Sequence, residues 1–132
     1  MKVTRASDWP MRRANPSYFT GTVWQVPIND APSPARLVAL RVTFEPGART
    51  HWHTHPLGQT LYVTDGVGLV QREGEQVQQI RAGDTVWIAP DEKHWHGASA
   101  DHGMTHVAMQ EALDEVSVVW AEAVDDAAYR GT

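Results

Sequence analysis

Gly47–Gly66, GARTHWHTHPLGQTLYVTDG, decides how this chain is read. Between two glycine turns it sets His51, His53 and His55 at alternate positions, then places Gln59 at the head of an apolar run. Side chains two apart on an extended strand share a face. The three imidazoles therefore project together into whatever that face encloses. Imidazoles converging with an amide oxygen predict a metal site.

The pattern has an echo. His94-Trp95-His96 follows the turn residues Pro90-Asp91, again putting two imidazoles on one strand face. Two such strands on neighbouring walls of a barrel would bring four rings to one cavity. All seven histidines of the chain lie between His51 and His106, and the first 50 residues hold none. A scatter of surface histidines would not leave that gap. Mixed nitrogen and oxygen donors suit manganese, iron, cobalt, nickel or zinc.

Outward from this stretch, short β-branched and aromatic runs alternate with turn residues. The alternation predicts strands over 19–26, 37–44, 49–54, 59–64, 67–73, 76–81, 85–89, 94–100, 104–111 and 116–121. Spacing of that kind predicts an all-β sandwich or barrel. Residues 1–17, with Pro10, Pro16 and three arginines, read as an irregular arm. The one helical prospect is the end of the chain, where Asp125 can cap one or two turns.

Composition narrows the function classes. The 132 residues predict a single domain, 1–132, large enough for one core. A net charge of −5 without a basic cluster argues against nucleic acid. The absence of cysteine removes disulfides, thiolate nucleophiles and cysteine-ligated metals. No run approaches the ~18–20 apolar residues of a membrane span, and the N-terminus lacks a signal-peptide core, so no membrane role and a cytoplasmic location are expected.

These motifs resemble the cupin superfamily, whose first motif is G-x5-H-x-H-x3-4-E-x6-G. Here it runs through Gly47, His53, His55, Gln59 and Gly66. The second, G-x5-P-x-G-x2-H-x3-N, maps onto Gly83 to His94 with its total spacing kept. The resemblance covers about 36–112 and implies a jelly roll, or double-stranded β-helix. It also implies a metal held by His53, His55, residue 59 and His94. Four features depart from the pattern, the first being that Pro90 sits one place late. Gln59 stands for the usual glutamate, Asp91 occupies a glycine turn position, and Ala98 replaces the final asparagine. Aspartate tolerates φ > 0 better than most residues. A neutral amide leaves a divalent ion its full charge and makes it a stronger Lewis acid.

The strings HTHPLGQTLYVT, VQREG, EKHWHGA and MTHVAMQE are similar, more narrowly, to small bacterial cupins that include manganese-dependent hydroxynitrile lyases. That likeness implies cleavage of cyanohydrins to an aldehyde or ketone and HCN, with Mn2+ as the foremost metal. It also implies a catalytic role for His106, with His96 as the second candidate. Substrate-binding expectations fall on Leu40, Val42, Leu61 and Val63 as an apolar wall, and on Gln110, which shares strand parity with His106. Thr50 lies on the opposite nominal parity and reaches the site only if its strand bends. His51 is expected at the rim, and His102 in a solvent turn.

Other readings stand beside this one. His106 can equally be a hydrogen-bonded core histidine. The same scaffold serves Fe(II) dioxygenases, isomerases and non-enzymatic binding proteins. The N-terminal arm and a sheet edge that needs covering predict a homodimer or homotetramer.

Overall fold

The computed structural model describes residues 1–131. A 3-10 turn at Ala6–Asp8 precedes twelve strands: β1 (Arg12–Arg13), β2 (Phe19–Thr20), β3 (Val23–Pro27), β4 (Leu37–Phe44), β5 (Arg49–Thr50), β6 (His53–Thr54), β7 (Gln59–Arg72), β8 (Gln78–Arg81), β9 (Thr85–Ile88), β10 (His94–Ala98), β11 (Met104–Glu111) and β12 (Val119–Trp120). The helix α1 (Asp126–Arg130) follows. Every pairing is antiparallel. One sheet runs β1-β3-β4-β11-β7-β9, and the other joins β2, β5, β10, β7 and β8, with β6 between β10 and β12. The two faces close on each other as a jelly roll.

β7 is the hinge of the architecture. Sequence alternation predicted two strands separated by Asp65-Gly66, yet the chain continues as one 14-residue strand. Its register against β11 shifts there: Thr105 pairs with Asp65 but His106 pairs with Val63. One extra residue in one strand is a β-bulge, which bends the strand and sharpens its twist. The extra residue is Thr64, and just beyond it Gly66 takes φ 80° where a Cβ would stand 1.9 Å from the Gly103 carbonyl oxygen. The aspartate–glycine pair is thus a corner between sheets rather than a hairpin turn. β7 enters in the first sheet and leaves in the second.

Smaller departures have similar local causes. Gly21 at φ 81° divides the strand expected over 19–26. The arm is not wholly irregular, because Arg12 and Arg13 pair with Gln25 and Trp24 and extend the first sheet. Between β5 and β6 the chain leaves the ladder at His51 and Trp52. Asp91 takes φ 60°, as its place in the turn requires, and its N–H donates to the His55 carbonyl oxygen at 3.0 Å.

Phe44, Val63, Met104, Val42, Val70, Ile80 and Ala98 fill the space between the sheets. A second cluster of Trp52, Trp95, Val124 and Tyr129 seats α1 against the outside of β10. Asp125 caps that helix through the Ala128 N–H at 2.7 Å. The buried Arg49 guanidinium donates to the Val124 carbonyl at 2.7 and 3.2 Å and lies 4.4 Å over the Tyr129 ring. The Tyr129 hydroxyl donates to the Ala98 carbonyl at 2.7 Å. The strand that carries His94 and His96 is therefore held from behind. Among the described residues no helix is long and apolar enough to cross a membrane.

Candidate metal centre

Strand register brings the histidines together. His53 on β6 stands directly opposite His94 on β10, and their ring centroids are 4.2 Å apart. His55, the residue immediately after β6, places its ring 5.0 Å from His53 and 5.4 Å from His94. Gln59 opens β7 and presents Oε1 to His94 Nε2 at 3.2 Å. His53, His55, Gln59 and His94 are all buried. Nitrogens of His53, His94 and His96 lie within 4.8 Å of one another, so these three rings could also hold an ion.

Backbone carbonyls set the tautomers. His53 Nδ1 donates to the carbonyl of His51 at 2.8 Å, His55 Nδ1 to that of Ser117 at 2.6 Å, and His94 Nδ1 to that of Glu92 at 2.8 Å. A carbonyl only accepts, so in each neutral ring Nδ1 carries the hydrogen and Nε2 keeps its lone pair. Burial keeps the rings neutral. It pushes the His94 pKa down to about 4 and the His53 pKa well below 6.5, where the nearby His94 lowers it further. It also lowers His55 against the opposing pull of the Ser117 carbonyl.

The contact between Gln59 Oε1 and His94 Nε2 then has no hydrogen in it. Two buried acceptors face each other at 3.2 Å, an arrangement that costs free energy unless a cation sits between the lone pairs. Donors bound to one divalent ion at right angles stand about 3 Å apart. His55 Nε2 is buried with no protein partner, a further donor left for an ion. Neutral imidazoles and an amide oxygen suit the borderline divalent metals. The residues fit.

His96 belongs to a second arrangement. Its Nδ1 lies 2.9 Å from His106 Nε2, both rings are fully enclosed, and the outer nitrogens, His96 Nε2 and His106 Nδ1, have no protein partner. Burial lowers the His106 pKa to about 4, and that of His96 well below 6.5, helped by His106. One hydrogen is shared across the contact, so the pair always offers one open lone pair and one outer N–H.

A cavity of about 140 Å³ opens onto these groups. Leu40, Val42, Thr50 and Gln110 line it, as do His53, His55, Gln59, His96 and His106. His94 does not line it but contacts His53 and Gln59, which do. Thr50 reaches the cavity because β5 ends there and the chain bends, and its hydroxyl accepts the His96 backbone N–H at 3.2 Å. Leu61 and Val63, expected on this wall, are placed differently. Both are wholly enclosed, Leu61 against Ile88 and Ala108, and Val63 within the intersheet core. They share the inward face with Gln59, but steps of about 6.8 Å per residue pair carry them down the strand into packed protein.

Two further expectations resolve. His51 is half-buried and serves the centre through its carbonyl rather than its ring. His102 sits exposed in a turn, its N–H on Ser99 Oγ. Sequence reasoning missed Trp120, Val118 and Phe19 on the cavity wall. Trp120 stacks on Tyr18 at 4.8 Å and lies 4.8 Å from His53. Its signal was an aromatic in a strand without alternation, which gives no facing direction.

Comparison with known proteins agrees with this architecture. Residues 40–108 match the model of the cupin domain. The chain is 52% identical over 130 residues to an (R)-mandelonitrile lyase of Granulicella tundricola, covering 98% of this chain and 99% of that protein. A crystal structure of a cupin-like protein from Thermotoga maritima superposes with a TM-score of 0.85 at 37% identity, covering 89% of this chain and 90% of that one. A polyketide cyclase from Streptomyces resistomycificus, 15% identical, shares the fold with a TM-score of 0.76 over 98% of this chain and 91% of its own. With matched motifs, a jelly roll and a histidine-lined cavity in agreement, the chain belongs to the cupin family.

Proposed function

We propose that this cupin is a metal-dependent hydroxynitrile lyase, splitting small cyanohydrins such as mandelonitrile into an aldehyde or ketone and HCN, and catalysing the reverse addition. The observation that carries the proposal is the pair of facing acceptors, Gln59 Oε1 and His94 Nε2, beside a buried dyad of neutral histidines. The likeness to an (R)-mandelonitrile lyase over nearly the whole chain supports the same reading.

His53, His55, Gln59 and His94 are the proposed ligands. Three of them have Nδ1 occupied by a backbone carbonyl, which frees Nε2. His96, whose Nδ1 pairs with the imidazole of His106 rather than with a carbonyl, is assigned to proton transfer through that pair. A divalent ion held there, Mn2+ foremost, supplies a Lewis acid that acidifies a hydroxyl.

The dyad supplies acid and base together. With His106 Nε2–H donated to His96 Nδ1, His106 Nδ1 holds the open lone pair and His96 Nε2 an N–H. His106 Nδ1 takes the hydroxyl proton as general base. The carbonyl forms as the C–C bond electrons leave with cyanide. His106 passes its Nε2 proton to His96, and His96 Nε2–H protonates cyanide to HCN. No charge remains on the pair. Phe19, Phe44 and Trp120 give the cavity an aromatic wall suited to an aryl group, and Thr50 and Gln110 add polar contacts.

The test is HCN and benzaldehyde release from mandelonitrile by the manganese-loaded protein, under nitrogen and in air. Equal rates in both support a lyase. Product formation only with oxygen uptake contradicts it.

A further inference from the structure

Gln110 does not touch the histidine dyad through its side-chain amide. It stands directly opposite Gln59 across the β7–β11 ladder, and its Oε1 accepts from Gln59 Nε2 at 3.1 Å in a buried contact. With Gln110 as the acceptor, that bond sets which end of the Gln59 amide meets His94. A primary amide offers an acceptor at one end and donors at the other, and rotation by half a turn exchanges them. With Nε2 taken by Gln110, only Oε1 is left for the His94 side.

The opposite orientation is available to the same atoms. If both amides turned together, Gln110 would donate to Gln59 Oε1, and Gln59 Nε2 would donate to the His94 lone pair. Every polar group in that chain would be satisfied without an ion, and no oxygen would face the metal position. A glutamate at position 59 presents oxygen whichever way it turns, so it has no such alternative. The neutral amide therefore needs a partner that the carboxylate does not.

We propose that Gln110 is a positioning residue for the metal centre: by accepting from Gln59 Nε2 it holds Gln59 Oε1 toward the ion. This rests on the reading of Gln59 as a ligand. Side chains that orient metal ligands affect affinity roughly 10–100-fold when removed.

The test is calorimetric titration of Mn2+ into metal-stripped full-length protein. Gln110→Leu is expected to weaken Mn2+ binding about tenfold or more. Gln110→Glu, an obligate acceptor of similar size, is expected to bind at least as tightly as the parent. In a Gln59→Glu background, Gln110→Leu is expected to change affinity by less than about twofold. An equal loss from Gln110→Leu in both backgrounds would overturn the proposal by making Gln110 a packing residue. So would a tenfold loss in Gln110→Glu, which keeps both the volume and the acceptor. Gln59→Ala separates the two levels: parental affinity there would remove Gln59 as a ligand, whatever Gln110 does.

Discussion

His106 Nε2 lies 2.9 Å from His96 Nδ1 inside a cavity wall, with neither outer nitrogen bonded to protein. Two core histidines satisfied by their surroundings would not leave both outer nitrogens open. His106→Ala should retain its metal and lose roughly 10²–10⁴-fold in kcat, the usual range for a general acid–base group. His96→Ala should fall in the same range, and the double variant should cost little more than either alone, because the two rings move one proton. Steady-state kinetics with metal analysis on all three proteins checks this. Additive losses would make the rings independent.

Acid should weaken the metal-free fold through these same rings. Burial holds His94 and His106 to about 4 and His53 and His96 well below 6.5. Between pH 6.5 and 4 the unfolded chain therefore binds protons that the folded chain refuses, and stability rises with pH through that window. The melting temperature of stripped protein should be flat above about pH 7 and fall steadily below 6.5. A melting temperature that rises on acidification would contradict the burial argument.

Much of this centre was legible in the sequence, for identifiable reasons. Alternation places His53, and His94 with His96, on inward faces whatever the barrel's details, because strand parity is a local property. The register that sets His53 opposite His94 is a property of two distant strands, and only the family spacing hinted at it. Asp65-Gly66 read as a turn because aspartate–glycine serves both turns and bulges, and the difference lies in the partner strand. Leu61 and Val63 were assigned the right face and the wrong depth, since alternation carries no information on distance along the barrel. The Gln59–Gln110 contact joins residues 51 apart, and nothing local announces it.

The C-terminal helix should stabilise the barrel without entering the chemistry. Tyr129→Phe removes the bond to the Ala98 carbonyl and should cost about 1 kcal/mol. Arg49→Ala removes charged hydrogen bonds to the Val124 carbonyl and the cover over Tyr129, and should cost about 2–3 kcal/mol. Urea unfolding measures both. An Arg49→Ala protein as stable as the parent would show that the clamp contributes nothing.

Val118 stands at the rim of the 140 Å³ cavity, half-buried on the segment that also carries Trp120. Val118→Phe should crowd an aryl substrate more than a small aliphatic one. Expected is a loss of about tenfold or more in kcat/KM for mandelonitrile, with acetone cyanohydrin changed by less than about threefold. Equal losses on both substrates would point to a damaged site rather than a narrowed one.

The central claim is that cyanohydrin cleavage runs on a metal held by His53, His55, Gln59 and His94. Its most direct measurement is HCN release from mandelonitrile as Mn2+ is titrated into stripped protein, followed alongside the same titration of His53→Ala. The account predicts no activity in stripped protein, a rate rising in proportion to bound metal up to one ion per chain, and a silent His53→Ala protein that binds none. Full HCN release from stripped protein, or from His53→Ala without metal, would contradict it.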